Sequence, residues 1–389
     1  MHIAMFSDSY LPYVSGVVRS IEIFTRELRS RGHTVSIFAP AYPNQGPDEP
    51  GVYRVPSIRT PYHREFTLAI PFSPQLARQV RELGVDVIHV HSPFIMGRVG
   101  ARAARQLGLP LVFTHHTLYD QYVHYVPVAP PALTRRLTVR VVTAFANRCH
   151  QVIAPSRTVA ERIRAQGITA PVRVIPTGIQ TDRLASGDPG WLARTWGIPA
   201  GEPVLIYVGR LAKEKNLDFL LEAFAQVRQR VPRAWLVFVA GGPERAHLEA
   251  RARELGIGPR LIMTGVLPYE RVIDAYAGAD LFVFASQTET QGMVIGEAMA
   301  AGLPVVAVAA SGVTDLVRDG VDGYLTPHQL APFVERVVEL LEHPEQRRQM
   351  GAEARRQAET ISVARTTDAL LEVYAAAEAS LRQAATSSA

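Results

Sequence analysis

Short apolar or β-branched runs alternate with stretches of helical period along nearly the whole of this 389-residue chain, and that alternation constrains the fold more than any other feature. The first runs are His2–Phe6, Thr34–Ala39, Val85–Val90, Pro110–Thr114, Gln151–Ala154 and Val172–Ile175. Between them lie segments such as Val17–Arg31, where Val17, Ile21, Phe24 and Leu28 share one helical stripe. The pattern resumes at Val204–Val208, Trp235–Ala240, Leu261–Thr264, Leu281–Ala285, Pro304–Ala307 and Gly323–Leu325, with helices predicted over Asp218–Arg230 and Gln329–Leu341. Such alternation predicts parallel sheets covered by helices on both faces. The stretch Gln180–Pro203, rich in Gly, Pro, Ser and Asp, reads as a linker between the two series. The expected class is α/β, with two Rossmann-like doubly wound domains, residues 1–180 and 181–365, facing across a cleft. Residues 366–389 are expected to form a C-terminal helix that packs back across the hinge, followed by a tail. Ligands of doubly wound sheets bind beyond the carboxyl ends of the strands, so the cleft is the expected site.

Charge narrows the partners. The net charge of +5 conceals a split: residues 1–180 hold 20 Arg and no Lys against 10 acids, and the remainder is acidic by 5. A basic half calls for an anionic partner, either nucleic acid or a membrane surface; the alternative is arginine scattered over a solvated surface. With one cysteine, Cys149, there is no internal disulfide, which suits a reducing cytosol. The first residues lack a cationic start and a long apolar run, and no stretch approaches 18 apolar residues. A cytoplasmic location is expected, with any membrane contact peripheral, on the inner face.

Four segments carry chemistry. In Ser286–Val306 a predicted strand is followed by Glu289 in a loop, and a helix begins near Gly292. The backbone N–H groups of Met293 and Val294 then point outward and make an anion site suited to a diphosphate. Glu297 lies eight residues after Glu289, so the two carboxylates can hold separate hydroxyl groups; two surface glutamates near a helix start are the bland alternative. In Tyr207–Leu217 a strand delivers Gly209, and Arg210 and Lys215 follow; Lys213 and Lys215 are the chain's two lysines. Fixed cations there would stabilise charge on a departing phosphate. There is no Asp-x-Asp pair to bridge a divalent metal, so no metal or other cofactor is expected. Leu11–Ile21 follows the first strand with a single Gly16 at the helix mouth and lacks the Gly-x-Gly-x-x-Gly fingerprint, which argues against NAD. Thr114–Tyr125 gathers three His and three Tyr within twelve residues, without the spacing a zinc site needs.

The run from Glu289 to Glu297, with its closing Glu-Ala-Met-Ala-Ala-Gly-Leu-Pro-Val, resembles the Glu-x7-Glu signature of the retaining GT-B glycosyltransferases of family 4. The resemblance covers essentially the whole chain. It implies that Glu289 holds sugar hydroxyls and that Glu297 grips the ribose of the nucleotide. Arg210 and Lys215 match phosphate-binding positions, the Gly16 loop is implied to touch the donor diphosphate, and His116 to contact the donor sugar near the reaction centre. Asp120 stands where related lipid glycosyltransferases often carry Glu. The implied reaction transfers a hexose from a nucleotide-sugar such as UDP-glucose or GDP-mannose by front-face substitution, the leaving phosphate taking the acceptor proton.

The acceptor is suggested by Leu133–Arg148, in which Arg135, Arg136, Arg140 and Arg148 are interspersed with Leu, Val and Phe. A basic amphipathic helix can lie on an anionic bilayer, and the alternative is a half-buried domain helix. Together with the basic half and the Tyr/His loop, where Tyr119, Asp120 and Tyr122 are acceptor candidates, it resembles bacterial diacylglycerol glycosyltransferases. The expected partners are a nucleotide-sugar donor, a glycerolipid acceptor and an anionic membrane surface. A soluble sugar or polysaccharide acceptor and a nucleotide-sugar epimerase remain as alternatives. A nucleic-acid binder is disfavoured, because the aromatic residues cluster in one loop rather than along a basic stripe.

Overall fold

The computed structural model describes residues 1–43, 45–59, 67–70, 74–120 and 131–386. The chain divides into two compact units, Met1–Gly178 with Val363–Ala389, and Ile179–Ser362.

In the first unit the chain forms β1 (His2–Phe6), β2 (Thr34–Pro40), β3 (Val52–Val55), β4 (Ser57–Arg59), β5 (Thr67–Ala69), β6 (Val87–Val90), β7 (Leu111–Thr114), β8 (Gln151–Ala154) and β9 (Val172–Val174). Seven of them make one parallel sheet in the order β3-β2-β1-β6-β7-β8-β9, while β4 and β5 pair antiparallel. The helices are α1 (Gly16–Ser30), α2 (Pro74–Glu82), α3 (Ile95–Leu107), α4 (Pro131–Ala146) and α5 (Arg157–Ala165). Ser15 caps α1 by accepting the Val18 N–H at 3.3 Å, and Val18, Ile21, Phe24 and Leu28 are buried beneath it. The central strands are buried on both faces, which is why they read as mainly apolar runs, with His89 in β6 a buried exception.

The second unit carries α6 (Thr181–Leu184), α7 (Trp191–Trp196), β10 (Val204–Val208), α8 (Leu217–Arg230), β11 (Trp235–Val239), α9 (Arg245–Glu254), β12 (Leu261–Met263), α10 (Tyr269–Ala277), β13 (Leu281–Phe284), α11 (Met293–Ala300), β14 (Val305–Val308), β15 (Gly323–Thr326), α12 (Leu330–Glu342) and α13 (Pro344–Glu359). Its sheet is parallel throughout, in the order β12-β11-β10-β13-β14-β15. In each sheet the strand order reverses beside the unit's first strand, between β1 and β6 and between β10 and β13. The loops leaving the carboxyl ends of those strand pairs diverge there and open a crevice.

Two expectations need correction. Gln180–Pro203 is not an open linker: it folds as α6 and α7, and Leu184, Leu192 and Ile198 are buried in the second unit's core. Its Gly and Pro residues mark turns between short helices, not a free connector. The last helix, α14 (Val363–Thr386), begins three residues before the expected 366. It belongs to the first unit, where Leu370, Val373, Tyr374 and Ala377 are buried beside residues of α1 and β1.

Candidate active site

The second unit's crevice is built by the loops after β10 and β13. Gly209 leaves β10 at φ +146, a conformation that only glycine adopts without strain. Arg210 follows and is exposed; one 3-10 turn over Lys213–Lys215 then leads to Asn216, in the left-handed region at φ 55, and into α8. Three side-chain contacts tie this loop to its neighbour. The Asn216 amide donates to the Ala285 carbonyl at 3.3 Å, Ser286 Oγ donates to the Glu214 carbonyl at 3.3 Å, and Lys215 Nζ donates to Glu289 Oε1 at 2.5 Å. The Lys215 and Glu289 side chains are 21% and 17% exposed, so the pair is largely shielded but reachable. Two motifs 74 residues apart thus meet as one charged pair.

Gly292, at φ 75, turns the chain into α11, whose first residues Met293 and Val294 are half-buried. Helix geometry leaves their N–H groups without intrahelical acceptors at the crevice. One turn on, Glu297 is buried and accepts from the Tyr269 hydroxyl at 3.1 Å; the Tyr276 hydroxyl lies 3.3 Å from its other oxygen and 3.2 Å from the Val294 carbonyl. Burial, with Glu297 adding to it, drives the Tyr276 phenol well above its ordinary pKa, so it stays a donor.

In the first unit Gly16 opens α1, and no atom lies within 4 Å of where its Cβ would stand. His116 follows β7, and its Nε2 is 2.9 Å from His91 Nδ1. Behind this pair, His89 bonds the Tyr374 hydroxyl at 2.8 Å and Thr114 Oγ1 at 2.7 Å. Burial holds the His116 and His89 pKa values down at about 3 and that of His115 at about 4, so the cluster is neutral near pH 7. Tyr119 packs edge-on against Phe94 and His115. Asp120 is buried and accepts from Arg162 at 2.6 Å and from Arg135 at 3.3 Å. Tyr122 lies outside the described residues. Arg136 and Arg140 are exposed, together with Leu133 and Leu137 at 60% and 59%. Among the described residues no group of three or more His, Cys, Asp or Glu is placed to hold a metal ion.

Residues 14–183 match the Glycosyltransferase Family 4 profile, and residues 192–357 match Glycosyl transferases group 1. An alpha-monoglucosyldiacylglycerol synthase of Streptococcus pneumoniae is 33% identical, over 85% of this chain and 77% of the relative. The chain belongs to the family 4 glycosyltransferases. This glycosyltransferase is also 33% identical to a GDP-mannose-dependent alpha-mannosyltransferase of Mycobacterium tuberculosis, over 92% of this chain and 91% of that one. Its fold is GT-B: Anabaena HepE, solved in complex with UDP, superposes with a TM-score of 0.79 at 22% identity, over 96% of this chain and 100% of that one.

Some residues that shape this glycosyltransferase's crevice carry no motif. A Cβ on Gly312 would stand 2.8 Å from the Glu289 carbonyl and the Gln291 nitrogen, so glycine lets the loop after β14 brace the Glu289 loop. A Cβ on Gly242 would meet the Leu211 backbone at 2.3 Å, so the loop after β11 supports Arg210 in the same way. The available signal was a glycine in the loop after an apolar strand, three residues past β11 for Gly242 and four past β14 for Gly312. Thr288 Oγ1 and Ser311 Oγ are buried, have no hydrogen-bond partner among the described residues, and flank the same loop. No helix among the described residues is long and apolar enough to cross a membrane.

Proposed function

We propose that this glycosyltransferase moves a hexose from a nucleotide-sugar donor to a glycerolipid acceptor at a membrane surface, with retention at the anomeric carbon. The Lys215–Glu289 pair carries the reading: it sets a phosphate-binding cation and a hydroxyl-binding carboxylate side by side at the switch point. Arg210, Lys215 and the N–H groups of Gly292, Met293 and Val294 bind the diphosphate, and Gly16 is likewise assigned to the donor. Glu297, held by Tyr269 and Tyr276, takes the ribose hydroxyls. Glu289 holds the sugar. The acceptor oxygen bonds to the anomeric carbon as the bond from that carbon to the phosphate oxygen breaks, and a leaving phosphate oxygen takes the acceptor proton. Cations fixed beside the phosphate stabilise the charge that builds there, so no metal is assigned to the step. His116, neutral and held by His91, hydrogen-bonds the sugar. Tyr119 and Tyr122 are assigned to the acceptor; Asp120, committed to two arginines, fixes the chain beside Tyr119.

The donor class is supported by relatives named for GDP-mannose and for glucosyl transfer and by HepE structures holding UDP and UDP-glucose. The lipid acceptor is supported by the name of the pneumococcal relative and by the exposed Leu133, Leu137, Arg136 and Arg140. The test is incubation with UDP-glucose or GDP-mannose, with and without diacylglycerol in anionic vesicles, followed by the anomeric configuration of the product. An α-glycosyl-diacylglycerol is expected. Transfer only to a soluble sugar would remove the lipid, isomerised donor would indicate an epimerase, and a trapped glycosyl-enzyme would remove front-face substitution.

A further inference from the structure

Many of the first unit's arginines are answered by acid. Arg31, Arg54, Arg135 and Arg162 each have a carboxylate oxygen within 3.3 Å. Arg98, Arg102, Arg105 and Arg148 are different. The first three sit at i, i+4 and i+7 on α3, along one stripe, and Arg148 lies just beyond the end of α4. All four line one groove of about 850 Å³, and among the described residues no acidic side chain lines it with them. Among the described residues, none of the four guanidinium groups has a carboxylate partner. Like charges at this helical spacing repel weakly, and an anion in the groove relieves that repulsion.

The groove has an apolar side as well. Phe145 and Leu109 line it beside Leu381 from α14. Guanidinium groups grip phosphate by paired, charge-assisted hydrogen bonds, and apolar surface favours a hydrocarbon chain. A cationic rim with an apolar wall therefore selects an amphiphile with an anionic head. The groove includes Leu111 at the start of β7 and Gly108 just past α3, so it opens at the amino edge of the sheet. The crevice loops leave the opposite, carboxyl edge. On α4, the exposed Leu133, Leu137, Arg140 and Ala144 recur every three or four residues and lead toward Arg148 at the groove.

We infer that this groove binds one molecule of an acidic phospholipid, its phosphate on the arginines and its acyl chain along the Phe145 wall. The inference rests on the membrane part of the proposed function for the source of the lipid alone. A bilayer-free probe separates the two: dihexanoyl phosphatidylglycerol below its micelle concentration, titrated calorimetrically, with dihexanoyl phosphatidylcholine and inorganic phosphate as comparisons. One saturable site is expected for phosphatidylglycerol, with each comparison at least tenfold weaker. Arg102→Gln and Arg148→Gln should each weaken it about tenfold. Both are exposed, so unchanged melting temperatures are expected and would show the variants folded. Equal affinity for inorganic phosphate would assign the groove to a soluble anion and overturn the lipid. Equal affinity for phosphatidylcholine, indifference to both substitutions, or absence of a saturable site would also overturn it. Saturable phosphatidylglycerol binding without adhesion to anionic vesicles would support the groove while removing the membrane surface. Vesicle adhesion lost on replacing Arg136 and Arg140, with no binding of the soluble lipid, would overturn the groove and leave the membrane reading intact.

Discussion

The two units share a strand order about their central strand, yet they equip the switch point with opposite chemistry. The second unit presents charge: Lys215 against Glu289, and Glu297 under two phenols. The first presents imidazoles held neutral by burial; of the carboxylates near them, Asp120 lies between arginines and Asp8 is half-buried, accepting from the Ser92 hydroxyl and the Met96 N–H. The same backbone thus serves as an electrostatic clamp in one unit and, in the other, as a wall of neutral imidazoles whose neighbouring carboxylates are tied to partners. Strand order places a crevice, and the residues of the crossing loops decide what it does.

The sharpest way to break this comparison is to remove the clamp. Glu289→Gln preserves shape and removes charge, and turnover should fall roughly 100- to 1000-fold, in kcat more than in KM. Steady-state kinetics retaining activity within a few-fold of wild type would take Glu289 out of the site. Lys215→Ala and Arg210→Ala should each weaken nucleoside diphosphate binding by roughly 2–4 kcal/mol, measured calorimetrically. The loss should be larger at Lys215, because that change also strands Glu289 without its partner. Activity abolished by EDTA and restored by metal would contradict the assignment of the leaving charge to these cations.

The next test addresses the neutral wall. An unfolded histidine binds a proton below about pH 6.5, whereas His89 and His115 stay neutral in the fold until about 3 and about 4. Protonation therefore favours the unfolded chain. Their contribution is whole above about pH 6.5 and is lost as pH falls toward the folded values, by about 2 kcal/mol per ring at pH 5. The second unit's His247, His328 and His343 are exposed, and all three tryptophans, Trp191, Trp196 and Trp235, lie in that unit. Urea unfolding at pH 7.5 and 5 should show the acid loss in far-UV circular dichroism and spare the tryptophan signal. An equal loss in both would erase the distinction.

The smallest effect is expected at Asp120→Asn, about 1–2 kcal/mol of stability from the weakened contacts to Arg162 and Arg135, with nucleotide binding unchanged. Transfer abolished at unaltered stability would instead make Asp120 an acceptor contact.

Much of the fold was legible because both sheets are parallel and covered on both faces. Runs such as Val204–Val208 and Gln151–Ala154 are buried end to end and apolar but for Gln151, and their predicted bounds match the strands. Edge strands are less visible. Val52–Val55 carries Arg54 and Ser57–Arg59 is three residues long, so neither shows a period. The residues 207–217 and 286–306 could be recognised from their order along the chain, since each pairs a strand end with a loop. What holds them together could not. Asn216 reaching Ala285, Gly312 yielding to the Glu289 carbonyl, and Tyr276 approaching Glu297 are contacts across a sheet, with no local spacing to betray them. Arg135 shows the same limit: the helical pattern assigned it to a membrane face, but it also reaches a buried carboxylate.

The return of α14 to the first unit has a consequence for how the protein is made. Ile179 and Ser362 are bridged at the second unit's two ends, so this unit is a continuous stretch whose termini meet. It can close as soon as its last residue has left the ribosome. The first unit, although its strands are translated earlier, lacks Leu370, Val373, Tyr374 and Ala377 until the whole second unit has been made, and with Tyr374 it lacks the hydroxyl that steadies His89. The usual order of vectorial folding is therefore inverted, with the later-made unit maturing first. A nascent chain stalled after residue 362 should hold a protease-resistant second unit and a first unit that is still cleaved.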